Sequence, residues 1–271
     1  MQEHHRPAVT SELAPYVVGV SGYRLSGFDP GVHVGMPSPS LTVIVPFDDP
    51  IRVAAPGEAP LAYDSLVSGL YDAPVHIHHD GSQHGVQLDL TPAGARALLG
   101  VPAGAISQQM VDLDELAGVG SSLAEQSAAA QTWQARVDVV LDVLTRRLRR
   151  DAVREARPEV VHAWAEIRRT QGRVPVWAVA SAVGWSTRHL GERFRTEYGV
   201  SPKTAARLTR FDRAHRLVAS GVPLAETAVR CGYTDQAHLN RDWRGFVGLS
   251  PTRWAIEDQL AFVQDGAYAD T

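Results

Sequence analysis

VPVWAVASAVGWSTRHLGERFRTEYGVSP, residues 174–202, and VPLAETAVRCGYTDQAHLNRDWRGFVGLSP, residues 222–251, are two copies of one pattern. Val174, Pro175, Ala180, Gly184 and Trp185 correspond to Val222, Pro223, Ala228, Gly232 and Tyr233 at an offset of 48. One residue is then inserted, and Leu190, Phe194, Gly199, Ser201 and Pro202 correspond to Leu239, Trp243, Gly248, Ser250 and Pro251 at an offset of 49. Each copy predicts a helix, a tight turn and a second helix. A small residue, Ala180 or Ala228, stands where the second helix must approach closely, and Gly184 or Gly232 follows where the turn calls for φ > 0. Trp185 or Tyr233 plugs the turn, and Ser186 or Asp235 offers a side-chain oxygen to cap the next helix. In that helix Leu190 and Phe194, or Leu239 and Trp243, lie four apart and form an apolar face.

Outward from the repeat, glycines and prolines recur at short intervals from Gly172 to Pro251 and delimit helices of about 8–18 residues. Two packed hairpins with no ligand, as in a helical solenoid, would show the same pattern, but a solenoid needs about three copies. The polar faces of the second helices weigh further against it. They carry Thr187, Arg188 and Glu192 in the first copy and Gln236, Ala237, Asn240 and Arg241 in the second. Arg, Gln and Asn are the side chains that read guanine and adenine edges in the major groove.

The net charge of −4 conceals a division. Residues 1–156 hold 10 basic and 18 acidic side chains, whereas 157–254 hold 16 basic and 8 acidic ones. A split of this size predicts that the C-terminal half meets a polyanion. Clustering on solvated helices is the other reading of charge alone. A single cysteine, Cys231, excludes an internal disulfide framework and suits a reducing cytoplasm. The opening MQEHHRPAVT lacks a basic segment followed by an apolar core, which predicts no signal peptide. No apolar run approaches the ~20 residues of a membrane span.

The second copy and its tail resemble the AraC/XylS family of bacterial regulators, from Gly232-Tyr233-Thr234-Asp235-Gln236-Ala237-His238-Leu239-Asn240-Arg241-Asp242-Trp243-Arg244 to Gly248-Leu249-Ser250-Pro251-Thr252-Arg253-Trp254. Pro202, Arg210, Ala214 and Leu217 between the copies also fit, and the resemblance spans 158–256. It implies two helix-turn-helix subdomains joined by a rigid central helix at 202–220. Their recognition helices would enter successive major-groove segments of double-stranded DNA about 34 Å apart. Carried over by position, the base-reading residues are Thr187, Arg188, Gly191 and Glu192 in the first helix, and Gln236, Ala237, Asn240 and Arg241 in the second. Glu192 departs from the family's usual Arg. It either accepts from a cytosine amino group or pairs with Arg188 one turn away. Gly191 is also unusual, because a mid-helix glycine costs about 1 kcal/mol relative to alanine. Arg193, Arg195, Lys203, Arg207, Arg244 and Arg253 are candidates for phosphate contact, each equally able to be a solvated residue or the partner of a nearby acid.

The expected fold class is α+β. A mixed β-then-α N-terminal domain occupies 1–150, a linker 151–157, an all-α domain with two helix-turn-helix subdomains and a central helix 158–256, and an acidic tail 257–271. Strands are predicted at 41–47, 51–54, 66–70, 75–79 and 86–90, between turn formers such as Asp49-Pro50 and Asp80-Gly81. Thr91-Pro92-Ala93 predicts a capped helix ending at Gly100, and 112–150 reads as helical. By analogy with the family, this domain senses a small molecule or mediates dimerisation. RNA polymerase and a second copy of the chain are further candidate partners. His76, His78, His79 and His84 pose a metal question, as a cupin-like site or as ordinary strand and turn histidines. The glutamate a cupin would want is missing, with Gly81, Ser82 and Gln83 in its place, so no metal or cofactor is assigned. A metal-dependent enzyme or sensor fused to a DNA-binding module is the alternative function. Against an enzyme, the chain has no Gly-rich phosphate loop and no G-x-S-x-G elbow. Cys231 falls in a predicted helix-turn, where a small buried residue is the expected role.

Overall fold

The computed structural model describes residues 2–117, 123, 126–127, 129–150 and 155–257. The first four residues of the predicted linker and the tail from 258 onward lie outside them. Among the described residues ten strands form two sheets. The larger has the order β1 (Gln2–His5), β2 (Val17–Ser26), β9 (Ser82–Leu90), β4 (Leu41–Pro46), β7 (Leu66–Ser68), β10 (Met110–Asp112). The smaller has the order β3 (Gly31–Gly35), β8 (Val75–His79), β5 (Ile51–Ala54), β6 (Leu61–Tyr63). Every pairing is antiparallel.

Alternation along β4 sorts its side chains to two faces. Ile44 joins Leu66 and, from the smaller sheet, Ile51, Val53 and Ile77 in an apolar cluster. Val43 and Val45 join a second core with Val137, Val140, Leu141 and Leu144 of helix α3 (Trp133–Arg150). Ahead of α3 lie α1 (Pro92–Gly94), which runs on into a π-turn (Ala95–Leu99), a 3₁₀ turn (Ala103–Ile106) and α2 (Leu113–Ala117). Thr91 caps α1 by accepting the Gly94 N–H at 3.1 Å, and Gly100 closes the π-turn at φ 78°.

The predicted strands overlap β4, β5, β7, β8 and β9. Strands β1, β2, β3, β6 and β10 are additional. The central β2 reads VVGVSGYRLS, and its small residues dilute the apolar signal. At Gly22 the reason is α3: an added Cβ would lie 2.5 Å from Val137 Cγ2.

Seven helices complete the described chain: α4 (Pro158–Arg169), α5 (Val176–Ala182), α6 (Thr187–Tyr198), α7 (Pro202–Ala219), α8 (Leu224–Cys231), α9 (Gln236–Val247) and α10 (Pro251–Glu257). The β-rich region is thus followed by two helix-turn-helix units, α5–α6 and α8–α9, on the central α7. The two units differ in how they are bedded. Phe194, Leu190 and Tyr198 of the first are continuous with the core that runs through the larger sheet and α3. The second has its own core of Phe211, Leu239, Trp243, Phe246 and Trp254, against which Val34 and Met36 lean from the β3 side.

Candidate nucleic-acid interface

Local chemistry builds both second helices as the repeat predicts. Ser186 Oγ accepts the His189 N–H at 3.2 Å to open α6, and Asp235 Oδ1 accepts the His238 N–H at 2.6 Å to open α9. Gly199 and Gly248 close them in the left-handed conformation. Gly232 has φ 75° and Gly184 φ 71°, as the two tight turns require. On the inner face of α6, Phe194 stacks on Trp164 at 5.8 Å, and the Tyr198 hydroxyl donates to the Val160 carbonyl at 3.1 Å. On the inner face of α9, Trp243 meets Phe211 edge-on at 5.2 Å and lies 5.4 Å from Trp254.

The outward faces carry most of the predicted base readers. Thr187, Arg188 and Glu192 are exposed on α6; Gln236, Ala237 and Arg241 are exposed on α9, with Asn240 half-buried beside them. Arg188 Nε sits 3.0 Å from Glu192 Oε1, the intrahelical pairing that was one of two readings of Glu192. An exposed pair of this kind contributes little and can open toward a ligand. Gly191 is buried, and a Cβ there would meet nothing nearer than Arg195 Nη1 at 3.5 Å, so packing does not demand the glycine. Arg193, Arg195, Lys203, Arg244 and Arg253 are exposed. Arg207 is placed differently: its Nη2 lies 3.1 Å from Asp242 Oδ1 and its guanidinium 4.7 Å from the Phe246 ring centre. It ties the central helix to the second recognition helix, which competes with phosphate contact.

The far end of α6 carries residues that sequence reasoning did not single out. Arg96 Nε and Nη2 each donate to a Glu197 carboxylate oxygen at 2.6 Å. Beside this pair, a Cβ added to Gly104 would lie 2.5 Å from the Thr196 carbonyl oxygen. The 3₁₀ turn therefore lies directly on the last turn of the first recognition helix. The partners are 101 residues apart in sequence, and no local pattern announces such a pair.

The four histidines do not converge. His76 and His78 share one face of β8, while His79 faces the other, its ring 6.0 Å from that of buried His33. His84, on β9, contacts Asp48 Oδ2 through Nδ1 at 2.7 Å. Among the described residues no group of three His, Cys, Asp or Glu side chains could hold a metal ion. Burial, with His79 adding to it, holds His33 down to about 3. Cys231 is buried, and burial raises its thiol. A cavity of about 740 Å³ opens at one end of the two sheets, lined by Arg24, Arg52, Asp48, Asp49, Asp80 and His79 among others.

Two helix-turn-helix units on one central helix, set in a basic segment with polar second helices turned outward, define a DNA-binding transcription regulator. Residues 179–255 match the family model described as a helix-turn-helix domain. This C-terminal region is the AraC/XylS-type DNA-binding domain that the repeat and its tail resemble. No curated protein sequence matches the chain. Among solved structures, ToxT from Vibrio cholerae O395 has a similar fold, with 8% identity, 91% of this chain and 99% of its own covered, and a TM-score of 0.52. Unsaturated fatty acid bound ToxT from V. cholerae strain SCE256 aligns at 8% identity over 93% and 98%, with a TM-score of 0.54. The C-terminal domain of AraT, a response regulator from Geobacillus stearothermophilus, aligns at 24% identity over 37% and 86%, with a TM-score of 0.35. Among the described residues no helix is long and apolar enough to cross a membrane.

Proposed function

We propose that α6 and α9 enter successive major-groove segments of one duplex and read sequence through Thr187, Arg188 and Glu192, and through Gln236, Ala237, Asn240 and Arg241; Gly191, expected among the readers, is buried and drops out. The observation that carries this reading is the exposure of the N-terminal halves of both helices while their apolar faces are locked in separate cores. Arg193, Arg195, Lys203, Arg244 and Arg253 supply the salt-sensitive phosphate contacts. The protein works in the cytoplasm as a regulator and not as an enzyme. Residues 1–150 form a sensor or dimerisation domain, 151–157 a link, 158–256 the reader and 257–271 an acidic tail.

The seam on α6 supports modulation through the N-terminal domain, because Arg96 and Gly104 grip the end of a helix that binds DNA at its other end. The 740 Å³ cavity is the place for a small-molecule effector. Its mixed lining of Arg and Asp suits a polar ligand, unlike the fatty acid held by ToxT. RNA polymerase and a second copy of the chain are the remaining partners in this reading. Selection of bound sequences from random DNA, followed by hydroxyl-radical footprinting, tests it. Two protected patches one helical turn apart on one face are expected; one patch, or no sequence preference, would refute paired groove readout.

A further inference from the structure

Away from the groove-facing surface, the loop that leads into the first helix-turn-helix unit is buttoned to the turn of the second. The turn after α4 holds Gln171 at φ 54°, a left-handed backbone that glycine adopts far more readily. The Gln171 side-chain Oε1 accepts from Arg213 Nη1 of α7 and from Arg173 Nη2 at 3.0 Å. Both guanidiniums also donate to the Arg230 carbonyl at the end of α8, Arg213 at 2.8 Å and Arg173 at 3.3 Å. That carbonyl is one of the last-turn acceptors a helix leaves open, at its negative end, so two cations suit it. Arg210 adds a third tie, donating to the Gly172 carbonyl at 3.2 Å with its guanidinium 5.6 Å from the Tyr233 ring centre. The loop at 171–173 joins α4 to the first helix of the first unit, and 230–233 is the turn of the second.

We propose that Gln171, Arg173 and Arg213, closed around the Arg230 carbonyl, form a clasp that sets the distance and angle between the two recognition helices. The proposal rests on the reading that both helices engage one duplex. The first unit shares its core with the β-rich region and the start of α7, whereas the second unit has a separate core, so the central helix alone leaves the second unit free to rock against the first. The clasp is a polar link from the loop ahead of the first unit to the turn of the second. Its groups are solvent-exposed or half-buried, so it adds little to overall stability while restricting that rocking. A non-glycine residue kept at positive φ is strained backbone, and the carboxamide that bridges two arginines is what the strain retains.

Gln171→Gly removes the carboxamide and suits the backbone, and Arg213→Ala removes the shared donor. Spin labels on Thr187→Cys and Gln236→Cys report the interhelix distance by double electron–electron resonance in free, full-length protein. A narrow distribution is expected for the parent and a broad one for the Gln171→Gly, Arg213→Ala variant at unchanged melting temperature, with partial narrowing when Arg213→Lys restores one donor. Equally narrow distributions would overturn the clasp. Binding to selected bipartite sites whose spacer is lengthened or shortened by one or two base pairs gives the functional arm. The parent should show a sharp optimum, and the variant should lose roughly tenfold at that optimum and little elsewhere. A parent without any optimum would instead defeat the paired-groove reading, leaving the distance measurement to decide the clasp.

Discussion

Arg241 stands outward on α9 with its guanidinium turned from the core, and its neighbours Ala237 and Gln236 are exposed beside it. Replacing it with alanine is expected to weaken specific binding by about 1–3 kcal/mol and to relax preference at one base position, measured by titrating selected and scrambled duplexes. An equal loss on every sequence would place Arg241 on phosphate. Gly232 presents a different kind of constraint. At φ 75° its backbone is strained for a branched side chain, and an added Cβ 3.2 Å from Arg173 Cγ would also make that side chain shift. Gly232→Val should destabilise the second unit by about 1–3 kcal/mol in urea unfolding, and native stability would refute the assigned turn.

Among elements, α7 and α9 share the most consequential packing. Trp243 is fully buried between Phe211, His215 and Trp254. Trp243→Ala should cost about 3–5 kcal/mol, and a smaller loss in chemical denaturation would mean that the site collapses readily. Burial against these rings holds His215 down to about 3, far below the ordinary histidine value. Between that value and about 6.5 the unfolded chain takes up a proton that the folded one refuses. The contribution of His215 is therefore fully present above about 6.5 and is lost as pH falls below it. Tryptophan fluorescence of Trp243 and Trp254 should show a urea midpoint that drops from pH 7.5 to pH 5, and His215→Leu should flatten that slope. Asp89 acts in the opposite sense. Burial raises it to about 7, so its folded form keeps a proton that the unfolded chain releases, and its contribution declines as pH rises from about 4 toward 7.

At the scale of the whole molecule, the β-rich region grips the first reader at its far end and leans on the second through Val34 and Met36. Arg96→Ala strands a largely buried Glu197 carboxylate, whose side chain is 10% exposed. About 1–3 kcal/mol of stability should be lost, and hydrogen exchange should quicken in the 103–107 turn and the last turn of α6 together. Exchange that changes in neither segment would show the seam to be incidental.

What the chain announced by itself was local in origin. Repeated Ala, Gly, aromatic and cap residues at offsets of 48 and 49 state two helix-turn-helix units, because each residue answers a backbone need within a few positions of itself. Five strands were legible for the same reason, and β2 was not, since its small residues dilute the apolar signal and Gly22 among them answers to α3 and not to its neighbours. Charge division pointed to DNA, yet it could not separate Arg207, which is tied to Asp242, from the exposed Arg244. The Arg96–Glu197 seam, the dispersal of the four histidines and the union of Gln171 with Arg213 were decided by tertiary structure alone. Each joins groups distant along the chain, and only the closing of the backbone brings such groups within hydrogen-bonding reach or keeps them apart.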